Sequence, residues 1–183
     1  MVDLTASTQS DLAELVNASV AKSGEVIAAE FQSNGRGRLD RTFEAPPQSA
    51  LLFSFYLTSN REREYWSFIS FLAALAMREV ITENLAENIT LKWPNDILIG
   101  DKKVAGLLAQ QVGDGVIIGI GLNVAMGADE LPVPTATSLA LAGSKNLDRN
   151  LLLSAFLNHF EIIFKEWDSG SDFLEKYRQV SST

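Results

Sequence analysis

The chain has 183 residues, 46% of them apolar and 21% charged, which is enough for one sizeable hydrophobic core in a single domain over residues 1–183. Its net charge of −8 repels polyphosphate and excludes general nucleic-acid binding unless charge is strongly segregated. The absence of cysteine excludes a disulfide framework, a thiolate zinc site and a cysteine nucleophile. The opening MVDLTASTQSD lacks a charged-then-apolar leader pattern, and the apolar stretches break before membrane-spanning length. A cytoplasmic enzyme or binding protein, without membrane or nucleic-acid partners, is the expectation.

In chain order, Ser7-Thr8-Gln9-Ser10-Asp11 ahead of Leu12, Leu15 and Val16 predicts a helix capped by a Ser or Thr oxygen, with Gly24 as its stop. Residues 25–31 read as a buried strand. Periodicity lapses over residues 32–48, where Gly35, Gly37, Pro46 and Pro47 mark a loop long enough to suggest function. Residues 51–57 return to a β pattern, and residues 63–85 carry apolar side chains at helical spacing. Strands are expected over residues 89–93, continuing past a proline into 96–99, then over 104–112 and 116–122. Gly100-Asp101 and Gly113-Asp114-Gly115 are short hairpin chemistry, so the later strands run antiparallel. A loop over residues 123–148 leads to helices over 150–167 and 172–179. The pattern is α+β: a largely antiparallel sheet with helices mainly on one face.

Four segments carry chemistry. In Gln32-Ser33-Asn34-Gly35-Arg36-Gly37-Arg38-Leu39-Asp40-Arg41, glycine backbone can approach an anion while Arg36, Arg38 and Arg41 offer guanidinium forks. A solvated basic turn fits the same string. In Lys92-Trp93-Pro94-Asn95-Asp96, the proline interrupts the ladder as at a bend, aiming Lys92, Asn95 and Asp96 to one side. A charged turn with Trp93 in the core is the bland alternative. Lys103 opens an apolar strand that Gly106 thins, and Gly119 and Gly121 share one strand face as a floor without side chains. His159 on a helix is expected to be satisfied or exposed rather than catalytic, and Trp66 and Trp93 are both expected in the core.

Together these segments, with Ser7-Thr8-Gln9 before them, Asn123 after Gly121, and Ala136-Thr137-Ser138-Leu139, closely resemble the biotin protein ligases across essentially the whole chain. The resemblance implies a mixed sheet related to class II aminoacyl-tRNA synthetases. It implies ATP-dependent formation of biotinyl-AMP and transfer of biotin to a lysine of a biotin carboxyl carrier domain of a biotin-dependent carboxylase. Biotin and ATP are then the substrates, with Mg²⁺. Carried over residue by residue, Ser7, Thr8 and Gln32 bind the biotin head group, with Gly35, Arg36, Gly106, Gly119 and Gly121 lining its pocket. Lys103 holds the carboxylate, and Arg36, Arg38 and Lys92 neutralise phosphates. Arg41, Phe43, Asn95 and Asn123 belong to the ATP site, Asn123 at the adenine edge. Asp96 places Mg²⁺ or the acceptor amine. The arginine–glycine loop is expected to act as a lid that excludes water from the intermediate.

The sequence departs from the family pattern at Ala6, Asp40 and Phe43, where the family usually has aspartate, glycine and tryptophan. Only a few residues precede Ser7, and the chain stops at Ser181-Ser182-Thr183. The family's N-terminal DNA-binding module and C-terminal β-barrel are therefore expected to be absent. Family members often dimerise through a sheet edge, which leaves a homodimer open. The rivals are a lipoate ligase of the same fold and a non-catalytic biotin sensor. Octanoyltransferases of the superfamily need a cysteine.

Overall fold

The computed structural model describes residues 1–39 and 42–183. Its elements in order are α1 (Thr8–Asn17), β1 (Val26–Ala29), β2 (Ala50–Leu57), a 3₁₀ turn (Arg63–Tyr65), α2 (Phe68–Asn84), β3 (Ile89–Lys92), β4 (Asp96–Ile99), β5 (Lys102–Val112), β6 (Gly115–Asn123), α3 (Arg149–Asp168) and α4 (Leu174–Gln179). The six strands form one sheet in the order β1-β2-β6-β5-β4-β3, and every ladder is antiparallel. Among the described residues, parallel pairing occurs only in isolated bridges, two of which lie at the sheet's edges: Val2 meets Ala29 of β1, and Leu91 of β3 meets Ser181. The expected α+β architecture with a largely antiparallel sheet is observed.

Strand alternation divides the molecule into two layers. Phe53 and Phe55 of β2 point to one face, where they meet Phe156 and Phe160 of α3 with ring centroids 4.9–5.7 Å apart. With α2 and the β6 residues Ile118, Ile120 and Leu122 they form the main core. Full burial of each such side chain contributes roughly 1.5–3 kcal/mol. Asp148 caps α3, its carboxylate accepting from the amides of Asn150 (2.8 Å) and Leu151 (3.2 Å). On the opposite face Leu12 of α1 packs with Tyr56 and Ile117, while Leu52 belongs to a separate cluster with Ala50 and Met126. The gap between these two small clusters is where the site lies.

Four expectations are corrected. The first helix ends at Asn17, not at Gly24: Ser19 takes the left-handed conformation (φ 57°), and the amide of Val20 bonds back to the carbonyl of Leu15. No Ser or Thr side chain caps its start, and the amide of Thr8, its first residue, donates to Gln32 Oε1 at 2.8 Å. Residues 89–99 are not one strand bent at Pro94. The chain reverses over residues 93–95, and β3 pairs antiparallel with β4, Lys92 opposite Asp96. This reversal puts Trp93 at a hairpin tip with 61% of its surface exposed, whereas Trp66 is buried as expected.

Candidate active site

The arrangement of the site begins with glycine. Ser54 of β2 pairs with Gly119 of β6, Gly121 pairs with Gly106 of β5, and Gly106 pairs with Asp96 of β4. Four adjacent strands thus leave a strip with no side chain at three positions. Above it lies a cavity of about 150 Å³. A methyl group on Gly121 would meet the ring of Phe43 at 2.6–2.8 Å, and one on Gly119 would collide with Gln9 Oε1. The glycine floor is needed because neighbouring side chains fold down onto it.

One end of the cavity is polar and uncharged. Ser7, Thr8 and Gln9 at the start of α1, Gln32 beyond β1 and Ser54 all line it. Gln32 Oε1 accepts from the Thr8 amide (2.8 Å) and Thr8 Oγ1 (3.1 Å), and Thr8 Oγ1 lies 2.8 Å from Ser54 Oγ. Ser7 Oγ and both amide atoms of Gln9 are buried without a hydrogen-bond partner. Leaving such a group unmatched costs about 1–3 kcal/mol, so three of them in one cavity point to a polar ligand that completes them.

The other end is cationic. Arg36, Arg38 and Lys103 line the cavity, and Asp96 is the one carboxylate there among the described residues. Lys103 Nζ sits 2.6 Å from Asp96 Oδ1 and close above Gly106. Arg36 reaches Gln110 Oε1 at 3.2 Å, and an antiparallel bridge from Arg36 to Thr42 closes the loop on itself. The cavity therefore offers unfilled donors and acceptors at one end and a positive field for an anion at the other.

A model of the biotin/lipoate A/B protein ligase family matches residues 1–123. The chain is 32% identical over 188 residues to the biotin–[acetyl-CoA-carboxylase] ligase of Mycobacterium tuberculosis, covering all of this chain and 70% of that one. The chain belongs to the biotin/lipoate A/B protein ligase family. It is also 32% identical to the bifunctional ligase/repressor of Bacillus spizizenii, of which it spans only about half, 53%. The biotin protein ligase of Aquifex aeolicus, solved in complex with biotin and ATP, superposes with a TM-score of 0.85 at 29% identity, over 99% of this chain and 77% of that one.

Against the family roles expected from the sequence, the fold brings Ser7, Thr8, Gln32, Arg36, Arg38, Phe43, Asn95, Asp96, Lys103, Gly106, Gly119 and Gly121 to one cavity. Gly35 is buried just behind it, its carbonyl accepting from the Phe43 amide at 3.0 Å. Asn95 Nδ2 is spent on the Leu107 carbonyl (2.9 Å), pinning the β3–β4 hairpin to β5. Lys92 is exposed and outside the lining. Asn123 is 6% exposed, also outside it, and donates to the Thr137 carbonyl at 2.9 Å. Arg41 and the departure at Asp40 lie outside the described residues. His159 pairs with Glu83 at 2.9 Å, remote from the cavity. Gln9 and Ser54 have no role in the sequence-based expectations. Gln9 stands inside the Ser-Thr-Gln string, but a polar residue near a helix start reads equally as a cap. Ser54 lies within an otherwise apolar strand, where one hydroxyl gives no periodic signal.

No group of three or more His, Asp or Glu side chains gathers anywhere among the described residues. A resident metal held by protein alone does not fit this cavity. A magnesium ion carried in on nucleotide phosphates fits better, because Mg²⁺ keeps its waters and takes only one or two carboxylates. Asp96 is the candidate carboxylate. No helix among the described residues is long and apolar enough to cross a membrane.

Proposed function

We propose that this chain is an ATP-dependent biotin protein ligase that modifies a lysine of a biotin carboxyl carrier domain, in the cytoplasm where ATP and carboxylases meet. The observation that carries the reading is the cavity's division into an uncharged end with unpartnered Ser7 and Gln9 atoms and a cationic end at Arg36, Arg38 and Lys103. Biotin has the matching polarity: a ureido ring with N–H and C=O groups, and a carboxylate at the far end of an alkyl tail.

In the first step a biotin carboxylate oxygen attacks the α-phosphorus of Mg-ATP. The bond to the β-phosphate breaks, pyrophosphate leaves, and biotinyl-AMP remains. Lys103 holds the carboxylate, while Arg36 and Arg38 offset the charge that builds at phosphorus. Phe43, Arg41 and Lys92 are assigned to the nucleotide, whereas Asn95 and Asn123, whose amides are spent on the carbonyls of Leu107 and Thr137, are assigned no side-chain amide contact with it. In the second step the acceptor lysine, as free amine, attacks the acyl carbon and loses a proton as AMP departs. Asp96 would steady that amine or the nucleotide's magnesium.

The buried polar atoms also favour biotin over lipoate. A dithiolane ring has no N–H or carbonyl, so Ser7 and Gln9 would stay unmatched at about 1–3 kcal/mol each. The test is mass spectrometry of a carrier domain incubated with this protein, Mg-ATP and biotin, with lipoate in a parallel tube. A biotin-sized gain that needs ATP and is absent with lipoate supports the reading; a lipoyl-sized gain, or none, overturns it.

A further inference from the structure

We propose that Ser54 is a positioning residue for head-group recognition, acting through a one-way hydrogen-bond chain from Ser54 to Thr8 to Gln32. The inference rests on the ligase reading above and assigns it a floor residue of the cavity that acts through Thr8. Ser54 is 0% exposed at the middle of β2, between Leu52 and Tyr56, which belong to two separate apolar clusters on that face. A buried hydroxyl there is costly unless hydrogen-bonded. Its partner is Thr8 Oγ1 at 2.8 Å.

The direction of the chain follows from donor counting. The Thr8 amide lies 2.8 Å from Gln32 Oε1 and must donate, so that atom of the Gln32 side chain is the oxygen. Thr8 Oγ1 is 3.1 Å from the same oxygen, which cannot donate, so the single Thr8 hydroxyl proton goes to Gln32. The proton between Ser54 and Thr8 therefore belongs to Ser54. Thr8 is used in both directions, and Gln32 Oε1 is held by two donors. Gln32 lines the cavity, and its Nε2 lies beside Gly35 with no hydrogen bond to any described residue. The cavity thus meets a ligand with an N–H donor at Gln32, and a ring carbonyl is the group that fits it.

Replacing Ser54 by alanine removes the donor that fixes the Thr8 hydroxyl. That hydroxyl can then turn away, Gln32 Oε1 keeps one donor, and its amide is free to flip. The expected result for S54A is a rise of about three- to tenfold in KM for biotin in biotin-dependent pyrophosphate exchange, the worth of one hydrogen bond. kcat and the KM for ATP stay within about twofold. Selectivity for biotin over 2-iminobiotin, whose ring presents a donor in place of the carbonyl oxygen, narrows. In a T8V background, S54A adds nothing, since the chain passes through Thr8. S54C, with a weak thiol donor, falls between, and it stands in should S54A fail to fold. A S54A enzyme with wild-type biotin KM and selectivity overturns the assignment, as does an effect that simply adds to that of T8V. Wild-type protein without biotin-dependent exchange overturns the ligase reading itself, and this assignment with it.

Discussion

Lys103 and Asp96 face each other at 2.6 Å on adjacent strands, each still partly open to solvent, directly beside the glycine strip. The lysine's positive charge is thus held in place before any anion arrives. Under the proposed function, an incoming carboxylate would compete with Asp96 for Lys103 and leave Asp96 beside the reacting carbonyl.

The first prediction concerns that pair. Lys103→Ala should weaken biotin binding and slow adenylate formation together, by roughly ten- to hundredfold, the usual worth of a charged hydrogen bond of about 1.5–3 kcal/mol. Asp96→Asn should slow transfer to the carrier more than adenylation. Pyrophosphate exchange and single-turnover transfer from preformed biotinyl-AMP separate the two steps. Equal effects of both variants on both steps would contradict the division of labour.

The second prediction tests the glycine floor. An added methyl at Gly121 meets the Phe43 ring at 2.6–2.8 Å, and Phe43 is only half-buried, so the ring is pushed outward rather than the strand. Gly121→Ala should keep its fold while KM for biotin rises about tenfold or more, equivalent to ~1.4 kcal/mol. Circular dichroism with calorimetry of biotin binding reads both. Unaltered affinity would mean that ligand does not lie on this strip.

These features were unequally legible in the sequence. The turns at Gly100 and Gly113 marked the hairpins correctly, because both glycines take positive φ there (56° and 58°). The alternation of Gly119 and Gly121 marked the floor, since period two is a property of any strand. What eluded the pattern depended on partners distant in sequence. Ser7 looks like a helix cap, yet its Oγ makes no cap bond and is buried without a partner, while the Thr8 amide is satisfied by Gln32, 24 residues further on. Trp93 looks like core because tryptophan is mostly apolar, but the reversal at Pro94 turns it outward. Asn123 follows the glycine strand as expected, yet its amide is directed at the Thr137 carbonyl and not at the cavity.

A third prediction concerns acid stability, away from the site. Burial raises the pKa of Asp168, but hydrogen bonds from Ser59 and Asn60 and the charge of Arg61 outweigh it and hold the carboxyl below its ordinary 3.8. A depressed folded pKa contributes stability above the unfolded value, lost as pH falls through the folded one. Asp168→Asn should therefore melt lower than wild type near neutrality, with the gap closing below about pH 4 as the wild-type carboxyl protonates. Thermal melts of both proteins across that range decide it. A gap that persists unchanged into acid would place the effect in lost geometry, not in charge.

The last prediction sets function against stability at Gln9. Its side chain is 3% exposed, and both polar atoms are buried without a protein partner, a burden of about 1–3 kcal/mol. Leucine has nearly the same reach and no polar atoms. Gln9→Leu should therefore raise the melting temperature of the ligand-free protein by about 2–4 °C per kcal/mol recovered. The same change removes a donor and an acceptor from the head-group end, so biotin affinity should fall at least tenfold, and the stabilisation that biotin gives to wild type should shrink with it. Differential scanning calorimetry with and without biotin measures both on one sample. A higher melting temperature together with weaker binding identifies Gln9 as a residue kept for the ligand. A lower melting temperature would mean that the amide is satisfied inside the protein, and that the case for a polar ligand must rest on Ser7 alone.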